Sequence, residues 1–111
     1  MIEETILKHL LSSLDVNVYM QRPEKAPKRY VIIEKTGSSR ANRIEDSTFA
    51  VQSCAESLYE AAKLNQAAKE AMDSLIELDE IGGIELNSDY NFTDPDAKLY
   101  RYQALYVITH Y

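Results

Sequence analysis

Tyr30-Val31-Ile32-Ile33 is a run of four residues that all favour extended backbone, with no polar side chain to mark a wet face. Such a run reads as a strand, here over residues 29–36, buried on both faces and therefore central in a sheet. Gly37-Ser38-Ser39 reads as its end, and residues 37–46 as a polar loop carrying Arg40, Arg43, Glu45 and Asp46. Residues 47–52 return as a further strand with Phe49 and Val51 on one face.

Upstream, Ile2, Ile6, Leu7, Leu10, Leu11 and Leu14 recur at three- and four-residue steps, so residues 2–14 read as an amphipathic helix. Residues 16–20 read as a short strand, and the two prolines of Arg22-Pro23-Glu24-Lys25-Ala26-Pro27 make the next segment a loop. Downstream, Ser53-Cys54-Ala55-Glu56 has the spacing of a capping box. A long helix is expected from there to about Leu78, with Leu58, Ala61, Ala62, Ala68, Met72, Leu75 and Ile76 on its apolar face. Residues 84–93 alternate, with Ile84, Leu86, Ser88, Tyr90 and Phe92 on one side. Thr93-Asp94-Pro95-Asp96 is a turn, and residues 98–110 form a last strand with Tyr100, Tyr102, Ala104, Tyr106 and Ile108 on one face. The expected fold is α+β in the order α-β-β-β-α-β-β. It is a largely antiparallel sheet with two helices packed on one face, and residues 1–111 make one domain.

Composition narrows the function classes. The net charge is -6, from 12 basic and 18 acidic residues. Nucleic-acid binding normally uses a basic face, so a dedicated binder is not expected. A single cysteine, Cys54, excludes an internal disulfide and reads as a small buried hydrophobe near a strand end. A reducing compartment is the simple expectation, and the acidic start and lack of a long apolar run point away from a signal peptide or a membrane.

The residues of catalysis are sparse. His9 and His110 have no partners at ligand spacing, and Gly82-Gly83 follows a helix instead of opening one onto a phosphate. Asp89, Asp94 and Asp96 read as turn and surface aspartates more readily than as a cation site. No catalytic, metal or cofactor site is expected. Two features fit protein contacts instead. One is the charged segment with Arg40, Arg43, Glu45 and Asp46. The other is the late cluster of Tyr100, Tyr102 and Tyr106, which suits either an interface or packing beside Tyr90 and Phe92 in the last hairpin.

Tyr30-Val31-Ile32-Ile33-Glu34-Lys35-Thr36-Gly37-Ser38-Ser39, Phe49-Ala50-Val51-Gln52-Ser53, the alanine-rich helix and Leu86-Asn87-Ser88-Asp89-Tyr90-Asn91-Phe92 together resemble the small tail-completion proteins of long-tailed phages and prophages. The element order is similar to that of the tail terminators. The resemblance covers nearly the whole chain, and its motifs are diffuse because that family has no catalytic signature. It implies a ring, commonly of six subunits, that caps the tail tube, meets the head connector and lets DNA pass ungripped. Its place would be the virion's tail–head junction, after assembly in the host cytoplasm. A head-closure or head–tail joining protein is the neighbouring reading, and a small α+β ligand-binding domain or enzyme is the reading of another class. Six copies at -6 each would carry -36, so repulsion is expected to oppose ring formation at low ionic strength until the tail tube contributes contacts.

Overall fold

The computed structural model describes residues 1–111. In chain order its elements are α1 (Ile2–Ser13), β1 (Asn17–Tyr19), β2 (Tyr30–Ala41), β3 (Ile44–Ala55), α2 (Leu58–Asp73), a 3-10 turn (Ser74–Glu77), β4 (Ile81–Asn91) and β5 (Tyr100–His110). The chain is α+β, as its pattern implies. One sheet runs β1-β2-β3-β5-β4, antiparallel except for the short β1–β2 pair.

Residues 37–46 are not a loop. β2 and β3 pair from Tyr30↔Cys54 out to Ala41↔Ile44, so that only Asn42 and Arg43 make the turn. Both have positive φ, 53° and 69°, as a two-residue turn matched to the sheet's twist requires. Asn tolerates that conformation and Arg does not favour it, which is why the turn was hidden. Gly37 does not end the strand either. It follows a bulge between Lys35 and Gly37, where an added Cβ would lie 3.2 Å from the Thr48 hydroxyl.

Ser53 is no helix cap. It is a buried residue of β3, paired with Tyr102, and the strand continues to Ala55. The sequence Ser57-Leu58-Tyr59-Glu60 repeats the capping spacing four residues later, and there the Ser57 hydroxyl accepts the Glu60 N–H at 3.2 Å. The helix also stops short of Leu78, tightening into the 3-10 turn after Asp73. Its buried face is Ala61, Leu64, Asn65, Ala68, Ala71 and Met72, while Leu58 and Ile76 stay exposed.

One core joins these elements. Ile6 and Leu10 of α1 and Leu64 and Met72 of α2 pack with Val31, Ile33, Phe49, Val51, Ala104, Tyr106 and Ile108. By register, all those strand residues lie on one face, so both helices cover the same side. Each fully buried aliphatic side chain contributes about 1.5–3 kcal/mol. The other face holds a smaller cluster of Tyr30, Ile32 and Cys54, edged by Tyr19.

The turn yields a stability test. Replacing Arg43 by Gly relieves about 1–2 kcal/mol of left-handed backbone cost and adds about 0.5–1 kcal/mol of unfolded-chain entropy. Arg43→Gly is therefore expected to stabilise the chain by about 0.5–1 kcal/mol, read as a rise in the urea midpoint with unchanged slope.

Candidate interaction surface

The sheet ends in two open edges. β1 covers only Tyr30, Val31 and Ile32 of β2, so from Ile33 to Ala41 the outer edge of β2 has no strand beside it. β4 is the last strand on the other side. Unpaired N–H and C=O groups line both edges and can hydrogen-bond another chain. Bulges between Ile81 and Gly83 and between Leu86 and Ser88 break β4 into short straight pieces.

The second bulge corrects the alternation expected for residues 84–93. Ile84 and Leu86 pair with Ile108 and Tyr106 and belong to the helix side. The extra residue, Asn87, flips the phase, since side chains alternate with period two. Ser88 and Tyr90 then face the open side, opposite Leu105 and Gln103. Tyr90 and Phe92 meet edge to face at 5.9 Å, and the Arg101 guanidinium lies 4.5 Å from the Phe92 ring centroid. A polar ladder crosses the same side, Gln52 donating to Gln103, and Gln103 to the Tyr90 hydroxyl.

Tyr100, Tyr102 and Tyr106 do share one face, but it is the helix-covered one, away from Tyr90 and Phe92. Tyr106 is 1% exposed, a core residue and not a contact residue. Its hydroxyl is buried without a hydrogen-bond partner, and burial raises its pKa above the usual phenol range. Tyr100 and Tyr102 are half-buried beside Ala55 and Ser53.

The charged candidates lie at the other end of the sheet. Arg40 approaches Glu45 at 3.7 Å, Glu45 lies 3.8 Å from His110, and His110 hydrogen-bonds Ser47 at 2.8 Å. Asp46 accepts a hydrogen bond from Thr109 on the opposite face. Arg43 stands at the tip with no ion-pair partner. Tyr100 pairs with Ala55, whereas Glu45 pairs with His110. Ten residues of strand, about 33 Å, therefore separate Tyr100 from Glu45, and the nearer Tyr106 is buried, so the two candidate groups do not form one site.

A third group was not anticipated. Asp89 of β4 accepts from Asn65 at 2.8 Å and from Lys69, so it ties the edge strand to α2. Burial alone would raise the Asp89 pKa, but the hydrogen bonds from Lys69 and Asn65 outweigh it and hold the carboxyl below its ordinary range. The i, i+4 spacing of Asn65 and Lys69 was visible, but nothing local pointed to Asp89 as their partner. Asp94 turns onto its own backbone, accepting from the N–H groups of Asp96 and Ala97.

A groove of about 810 Å³ opens where the end of α1 meets α2, with Leu11, Leu14, Val16 and Leu64 in its wall. Three of its rim charges serve one another. Arg29 binds Glu56 through two nitrogens and lies 3.4 Å from Glu60, and the Arg29 guanidinium lowers the Glu56 pKa to about 2. No three His, Cys, Asp or Glu side chains come together as a metal would require. No helix is long and apolar enough to cross a membrane. These features define an α+β protein with an open-edged sheet, and neither a protein-family model nor a curated protein matches the chain.

Three outcomes follow from this geometry. Because the Asp89 and Glu56 pKa values are depressed in the fold, their contribution is present above the unfolded values and disappears as pH falls through the folded ones. Thermal stability should hold at neutral pH and decline from pH 4.5 toward about 2. Asp89→Asn should cost about 1 kcal/mol at pH 7, where its charged hydrogen bonds operate, and much less at the acid end of the titration. Tyr106→Phe removes an unpaired buried hydroxyl and should be neutral or stabilising by about 1 kcal/mol, whereas Tyr106→Ala should cost about 3–5 kcal/mol in a denaturant melt.

Proposed function

We propose that the chain is a tail terminator of a long-tailed phage or prophage, a non-catalytic subunit that assembles as a homomeric ring on the end of the tail tube. The observation that carries this reading is the sheet with both edges unpaired, β4 along its whole outer side and β2 beyond Ile32. A subunit with two different open edges is suited to repeated head-to-tail contact, which closes into a ring when the rotation permits. The resemblance of the β2, β3 and β4 sequences to tail-completion proteins supports the assignment and supplies the number six. In the ring, DNA passes an acidic subunit that does not hold it. The hairpin tip projects beyond the end of β5, since Glu45 pairs with His110 while Ala41, Asn42, Arg43 and Ile44 extend past it. Arg43, unpaired at that tip, is the residue assigned to the tail tube.

The test uses purified tail tubes that lack their terminator. The chain should bind one end and stop elongation, with a ring visible there by electron microscopy. Binding to the head connector alone, with tubes untouched, would favour a head-closure protein. Arg43→Gly should bind tubes at least about tenfold more weakly, the scale of a lost interfacial arginine. Since that variant is expected to be more stable than the parent, the loss could not come from unfolding.

A further inference from the structure

The net charge of -6 hides a strong division. From Met20 to Arg43, the segment containing β2, the chain carries seven Lys or Arg and two Glu. From Glu70 to Ala97, the end of α2 through β4, it carries nine Asp or Glu and no Lys or Arg. β2 and β4 lie toward opposite sides of the sheet. Lys35, Arg40 and Arg43 belong to the free part of the β2–β3 hairpin, whereas Lys28 and Arg29 line the groove beside α1, and at the β4 edge Asp89 is already met by Lys69. Three inter-strand spacings separate β2 from β4, about 14 Å, which exceeds the Debye length of about 8 Å at physiological salt. The two edges therefore act on a neighbour as separate patches of opposite sign.

The faces agree as well. Lys35 pairs with Phe49, and Arg40 with Glu45, so both basic residues of the free part of β2 lie on the helix side. On that side the 3-10 turn packs against β4, α2 reaches it through Asn65 and Lys69, and Asp73 and Glu77, at the end of α2 and in the 3-10 turn, are exposed. The directions also match. β4 opposes β5, β5 opposes β3, and β3 opposes β2, so β4 runs antiparallel to β2 within one chain. A second copy rotated about an axis along the strands presents its β2 antiparallel to the first copy's β4. Such a pairing continues the sheet without inverting either face.

We infer that the open edge of β2 in one copy pairs with the open edge of β4 in the next, with Lys35 and Arg40 set against Asp73 and Glu77. The occupant of both edges is a second copy of this chain. The contact is heterologous, so each copy keeps one edge of each sign free until a ring closes. The bulges at Thr36 and Asn87 confine pairing to short segments, which fixes register. Glu34 and Glu85 share the open face and exclude the register that would place them opposite each other. Complementary edges reverse the salt dependence expected from net charge alone. Association should be strongest at low ionic strength and weaken as salt screens the edges.

This inference rests on the self-association in the proposed function and adds the surfaces and the sign of the salt effect. The experiment is light scattering on the full chain at about 20 mM and about 500 mM salt, with two variants checked for folding by circular dichroism. One variant is Lys35→Glu with Arg40→Glu, which makes both edges acidic. The other is Asp73→Lys with Glu77→Lys, which makes both edges basic. The wild-type chain should associate at low salt and dissociate at high salt. Each variant alone should remain monomeric, and an equimolar mixture should associate, because each acidic edge then meets a basic one in alternation. A mixture that stays monomeric while the wild type associates would overturn the inference. So would variants that associate alone, or a wild-type chain that is monomeric at every salt concentration. In that last case, rings seen on tail tubes would leave the proposed function standing.

Discussion

β3 is hydrogen-bonded on both sides along nearly its whole length, to β2 from Ala41↔Ile44 to Tyr30↔Cys54 and to β5 from Glu45↔His110 to Ala55↔Tyr100. Most of the molecule is placed by this one strand. Its inward residues Phe49 and Val51 are the floor on which α2 rests, in the same core as α1. Its length sets that of the hairpin with β2, and its central position leaves β2 and β4 toward the outside, where the open edges lie. Even Ser53, whose hydroxyl is buried without a partner, is held there by ladder bonds on either side.

The parts legible in the sequence were those in which a period met a buried face. The α1 stripe of Ile2, Ile6 and Leu10 and the β5 alternation of Ala104, Tyr106 and Ile108 were readable because burial selects every third-to-fourth or every second residue. The failures share a different origin, in single residues whose backbone role depends on the opposite strand. Gly37 resembles a terminator until Thr48 is known to lie against it. Asn87 resembles an ordinary outward residue until the register with Tyr106 and Leu105 shows it to be extra. Ser53 and Ser57 offer the same capping spacing, and only the extent of the β3–β5 ladder chooses between them.

The candidate contact residues divide along the same line. Arg40, Arg43, Glu45 and Asp46 lie on the surface or half-buried because their charge excludes them from a core, whatever the backbone does there. Tyr106 is amphipathic, so composition could not separate core from contact, and packing beneath α2 decided it. The totals leave electrostatics open for a related reason. A summed charge of -6 contains no distances, whereas screening makes distance the governing variable.

Cys54 gives the molecule a property of another kind. It lies at the far end of the long ladder, 1% exposed on the face without helices, and burial raises its thiol pKa. A thiol reagent needs both access and a thiolate, and the folded strand supplies neither. The chain has no second cysteine to confuse the signal. Its rate of alkylation is consequently an internal clock for the opening of the central strand, measurable on the unmodified sequence and without denaturant.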